Sequence, residues 1–180
     1  MAKSLGILEL RSISRGILAA DAMVKTSPCD LQVMRMTCPG KILVIVSGES
    51  DEVMEAMEAG KKVAEGFLMD QYAIHSVSPA ILSAIKHKYT PGEVDAIGIL
   101  EAAHIASGLS ALDQALKEAS VSLVRLTLGQ AIGGKLVYII TGNVSSVEQA
   151  LDASLKVIPP KFVVDYTVIP SPSSVMKNFL

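Results

Sequence analysis

The sequence contains no tryptophan, only two cysteines and three histidines among its 180 residues, and no cluster of lysine and arginine. With a formal net charge of −2 and no basic patch, it offers no nucleic-acid surface. Long hydrophobic runs are also missing. The longest purely aliphatic stretch, Ile42 to Val46, falls far short of the about 20 residues that span a bilayer, so no membrane helix is expected. The start, MAKSLGILELRS, is broken by Glu9 and Arg11 before an apolar core can form and does not read as a secretory signal. Cys29 and Cys38 lie at opposite ends of one predicted strand, roughly 30 Å apart at about 3.3 Å per residue, which excludes a bond between them within the chain. Two cysteines that cannot pair within the chain point to a reducing, cytoplasmic compartment. His75, His87 and His104 lack metal-ligand spacing and are expected at the surface or at helix caps. No glycine pattern makes a dinucleotide fingerprint. Glu9 and Glu101 recur without an acid or base partner at fixed spacing, so no catalytic residue is assigned.

What the chain does have is apolar content. Hydrophobic residues make up 50% of it before 13 glycines are counted, more than a soluble domain of ordinary composition carries. Small domains have a poor surface-to-volume ratio, so the excess points to subunit interfaces.

It also has an internal repeat. The segment from Leu5, LGILELRSISRGILAADAMVKTSPCDL, aligns without gaps on that from Ile97, IGILEAAHIASGLSALDQALKEASVSL. Identities include Gly6/Gly98, Glu9/Glu101, Ile13/Ile105, Gly16/Gly108, Asp21/Asp113 and Lys25/Lys117. The copies differ most where Thr37-Cys38-Pro39-Gly40 is replaced by the longer Gly129 to Gly134.

Each copy opens on a short strand, Leu5 to Leu10 in the first, followed by a helix. The apolar stripe of that helix is Ile13, Ile17, Ala20 and Val24, matched by Ile105, Leu109, Leu112 and Leu116. A hairpin follows. In the second copy Val124, Leu126 and Leu128 alternate against Arg125 and Thr127, and the partner run Lys135 to Thr141 is apolar enough to be central. A second helix starts near Ser50, with Asp51 and Glu52 at the positive end of its dipole. In the second copy Ser145 to Glu148 has capping-box spacing. The last strands are expected near Tyr72 to Val77 and Phe162 to Ile169, each before a proline-led segment. The fold class is α+β, two tandem β-α-β-β-α-β domains related to the ferredoxin-like fold, over 1–88 and 94–180 with a short linker at 89–93.

The hairpin tip of the first copy presents Cys38 beside Pro39-Gly40, a pair suited to a type II turn, so a thiol is held out at a loop tip. One thiolate cannot hold an iron–sulfur cluster, which takes four cysteines in ordinary sites.

The GILE start, the Asp-Ala-Met-x-Lys helix end, the Pro-Gly-Lys turn, the SGES helix entry and the late proline segment resemble bacterial microcompartment shell domains. Their duplication resembles the tandem-domain, trimer-forming shell proteins, and the TCPGK turn is similar to that of the T-type shell proteins of propanediol-utilisation compartments. The resemblance implies a homotrimer mimicking a hexamer, tiled with other shell proteins into a microcompartment shell. Pore loops would be Thr37, Cys38, Pro39, Gly40 and Gln130, Ala131, Ile132, Gly133, with Lys25 and Lys117 at the tile edge. It further implies one [4Fe-4S] cluster per trimer, held by Cys38 of three chains as an electron or cluster conduit, with a lumenal or cytosolic redox enzyme as partner. Ser78 and Ser171 stand where single-domain relatives carry an arginine before the late proline. Two other readings are a plain metabolite-pore tile without metal and a soluble ferredoxin-like enzyme or sensor.

Overall fold

The computed structural model describes residues 3–89 and 93–177, so residues 90–92 of the expected linker lie outside it. The first repeat runs β1 (Ser4–Leu10), α1 (Ile13–Thr26), β2 (Asp30–Thr37), β3 (Lys41–Gly48), α2 (Ser50–Val63), β4 (Leu68–Ile74) and α3 (Pro79–Ile85). The second runs β5 (Ala96–Ala102), α4 (Ile105–Glu118), β6 (Ser122–Leu128), β7 (Leu136–Gly142), α5 (Val144–Val157), β8 (Val163–Ile169) and α6 (Ser174–Lys177). Each repeat forms a four-stranded sheet, in the orders β2-β3-β1-β4 and β6-β7-β5-β8, with every pairing antiparallel. Ile42 to Val46 are fully or nearly fully buried in β3, an inner strand of its sheet, as an unbroken apolar run requires. Two compact units result, one comprising Met1–Val77 with His104–Ala106 and Gly129–Gly134, the other the remaining residues.

Equivalent positions keep equivalent register. Leu8 faces Val44 across β1 and β3, and Leu100 faces Tyr138 across β5 and β7. The helices press on the sheets at glycine. A Cβ on Gly16 would collide with the Ile42 side chain, and one on Gly108 would meet Leu136 at 2.9 Å. One coordinated exchange separates the cores. Where the first repeat has Val44 and Gly60, the second has Tyr138 and Ser154, whose hydroxyls hydrogen-bond at 2.6 Å. Burial pushes the Tyr138 phenol up, and the Ser154 bond opposes that shift.

Three local expectations need correction. The buried face of α1 is Gly16, Ala19, Ala20 and Met23, whereas Ile17 and Val24, expected inside, are exposed. Close approach of α1 to β3 requires glycine at position 16, against Ile42, and this orientation leaves Ile17 and Val24 outward. In α4 the expected stripe is buried through Ile105, Leu109 and Leu112. Next, β4 begins at Leu68 rather than near Tyr72. Gly66 at φ 78 and the Phe67 N–H bond to the Ala64 carbonyl at 2.9 Å reverse the chain early. Finally, α5 is capped by Asn143, whose side chain accepts the Ser146 N–H at 2.8 Å. The reciprocal glutamate arrangement instead opens α2, where Glu52 accepts the Glu49 N–H at 2.9 Å.

Candidate functional site

Thr37 pairs with Lys41 at the end of the β2–β3 ladder, which leaves Cys38, Pro39 and Gly40 as the loop. Gly40 takes φ 70, a left-handed conformation that glycine adopts without strain, and the Cys38–Pro39 peptide is cis. Cys38 is a free, exposed thiol, and Cys29 is free and buried. Desolvation raises the Cys29 pKa, with the charges of Glu52 and Asp30 adding to it and its backbone hydrogen bond opposing it. The Cys29 thiol points at the Met23 carbonyl at 3.9 Å.

The β6–β7 tip, Gly129 to Gly134, holds positive φ at Gly129, Ala131, Gly133 and Gly134. It belongs to the same compact unit as the Cys38 turn. The Cys38 N–H faces the Gly129 carbonyl at 3.5 Å, a Cβ on Gly129 would meet the Thr37 methyl at 2.8 Å, and one on Gly134 would overlap the Cys38 carbonyl. Arg35 Nη1 faces Gln130 Oε1 at 3.5 Å. All eight expected loop residues, Thr37 to Gly40 and Gln130 to Gly133, are thus gathered in one place. Gln130, Ala131 and Gly133 are exposed and Ile132 is half-buried. A Cβ at Gly40 or Gly133 would meet nothing within 4 Å, so the loops are open on their outer side. Thr37 Oγ1 is buried with no hydrogen-bond partner among the described residues.

Sequence reasoning found no partner for Glu9, and the structure supplies several. Glu9, Asp70 and His104 bring ligand-type atoms within 4.8 Å of one another. Lys41 Nζ lies 3.3 Å from Glu9 Oε1, His104 Nδ1 lies 3.6 Å from the same oxygen, and Glu9 Oε2 accepts the Ile105 N–H at 2.8 Å. Lys41 therefore supplies the countercharge that a metal ion would, and the group works as a buried ion pair that also caps α4. The available signal was the joint recurrence of Glu9/Glu101 and Lys41/Lys135 in the two repeats.

Lys25 and Lys117 are not at the tips. Each sits in the last turn of its helix and pairs with the aspartate one turn earlier, Lys25 with Asp21 at 2.7 Å and Lys117 with Asp113 at 2.5 Å. Asp113 also accepts the Ser78 N–H at 2.8 Å, at the entry to α3.

The BMC domain family matches residues 4–77 and 96–172, the two repeats. The chain belongs to the BMC domain family. It is a tandem-domain microcompartment shell protein, 34% identical over 177 residues to the bacterial microcompartment shell protein PduT of Citrobacter freundii, covering 98% of this chain and 96% of that one. A solved microcompartment protein from Desulfitobacterium hafniense DCB superposes with a TM-score of 0.89 at 37% identity over 99% of both chains. The fused permuted hexameric shell protein MSM0275 from the RMM microcompartment, at 17% identity, shares the fold with a TM-score of 0.64 over 86% of this chain and 80% of that one.

Proposed function

We propose that this shell protein assembles as a homotrimer of six pseudo-equivalent domains around one axis, tiles with other shell proteins, and holds one [4Fe-4S] cluster on that axis through Cys38 of three chains. The observation that carries the reading is the placement of Cys38, a free exposed thiol at an outward-open hairpin tip with the other repeat's tip beside it. The donor set fits the group. Each chain offers one exposed thiolate, so threefold symmetry supplies three ligands and leaves one iron for water or a small exogenous ligand. Backbone amides of such a turn can donate hydrogen bonds to cluster sulfurs. When bound, such a cluster supplies one-electron transfer, which makes the tile a conduit to a lumenal or cytosolic redox enzyme. The chain's own part is positioning.

Assembly is supported by the burial pattern. Ile17, Leu18, Leu31, Met34 and Met36 are exposed, Met36 at 66%, while Leu109, Leu123, Leu126 and Leu128 at equivalent second-repeat positions are buried. Such a face, on a chain with this apolar content, is accounted for by another copy of the chain.

Protein purified without oxygen should be brown, with a broad visible absorption and a spin-resonance signal on reduction. Cys38→Ser should remove iron and colour without dissociating the trimer, and Cys29→Ser should leave both. An iron-free trimeric wild type after anaerobic reconstitution would instead identify a plain metabolite pore.

A further inference from the structure

We infer that Glu101 of one protomer caps the N-terminus of α1 in the next, accepting the Ile13 N–H, a trans version of the contact that Glu9 makes with Ile105. The inference rests on the ring assembly proposed above.

Ile105 is the first residue of α4, so its N–H has no partner within the helix. An ionised carboxylate there gains from the helix dipole and from a charge-assisted bond, and Glu9 Oε2 supplies it at 2.8 Å. Every participant has a repeat equivalent: Glu101 for Glu9, Lys135 for Lys41, Ile13 for Ile105 and Ser12 for His104. The second unit has already formed half of the arrangement, because Lys135 Nζ lies 3.1 Å from Glu101 Oε2. It differs in closure. The Glu9 and Lys41 side chains are 0% and 13% exposed, against 37% for Glu101 and 41% for Lys135.

The acceptor is therefore in place and open, and the equivalent donor is the first residue of α1. Ser12 Oγ serves the Arg15 N–H, at 3.4 Å, and not the Ile13 N–H. The exposed apolar side chains Ile17 and Leu18 follow directly on the same helix, so the donor is continuous with the surface assigned to another copy. A head-to-tail contact of this kind, repeated, closes a ring.

Sedimentation equilibrium over a concentration series tests it. Glu101→Ala should remain folded by circular dichroism and raise the trimer-to-monomer midpoint about tenfold or more, the usual cost of losing a hydrogen bond to a charged group. Glu9→Ala should instead lower the unfolding temperature of the chain itself. Ile13→Pro removes the same donor at a helix position that suits proline. Combined with Glu101→Ala it should cost no more than the larger single change, as expected for two halves of one contact. A trimer whose midpoint moves less than twofold in Glu101→Ala, or losses that multiply in the double variant, would overturn the inference while leaving the ring intact. A wild type monomeric at every concentration would overturn the ring and the contact together.

Discussion

Ile17, Leu31, Met34 and Met36 of the first repeat are exposed, and their second-repeat counterparts Leu109, Leu123, Leu126 and Leu128 are buried. The Glu9–Lys41 pair of the first repeat is closed, and the Glu101–Lys135 pair of the second is open. The asymmetry thus runs in opposite directions at two places. In the assembly proposed above, the exposed first-repeat face and the open Glu101–Lys135 pair are the halves left for another molecule, as a head-to-tail ring requires.

Charge placed on the two faces should separate folding from assembly most strongly. Leu126→Asp buries a carboxylate where Leu126 is 5% exposed and should cost several kcal/mol, roughly enough to unfold a chain of ordinary stability. Met34→Asp, at the equivalent exposed position, should leave the circular dichroism and melting of the chain unchanged and abolish the trimer in sedimentation. Equal effects on folding would remove the distinction between the faces.

A smaller contrast lies at the helix–sheet contact. Gly16→Ala drives a methyl into Ile42 and should cost about 1–3 kcal/mol in denaturant unfolding. Gly108→Ala, where the nearest atom is the end of the Leu136 side chain at 2.9 Å, should cost less. The reverse order would mean that α1 and α4 do not press on their sheets as described.

The smallest effect on the trimer is expected at the lysines. Lys25→Asp with Lys117→Asp should prevent extended sheets in electron microscopy while leaving trimers, because rim charges set register more than affinity. Of the single changes, Lys25→Asp should act more on the lattice, since Lys25 is 72% exposed and Lys117 38%. Unchanged sheets in the double variant would remove both from the tile edge.

The chain order of strands and helices in each repeat and the inner position of the second hairpin strand, Lys135 to Thr141, were legible because period-two alternation, apolar runs and the repeat all agree. The orientation of α1 was not, since a stripe at Ile13, Ile17, Ala20 and Val24 fits helical spacing as well as the true face through Gly16, Ala19 and Met23. Only the closeness of Ile42, a tertiary fact, decides between them. At the candidate site Cys38 stood out because Pro39-Gly40 announces a tight turn. The Glu9 cluster did not, because Lys41 and His104 reach it from distant segments.

The most direct measurement is native mass spectrometry of wild-type protein purified without oxygen. The account predicts three chains carrying four irons and four sulfides, with the extra mass absent in Cys38→Ser. A trimer at its bare polypeptide mass after reconstitution, or a monomer, would contradict it.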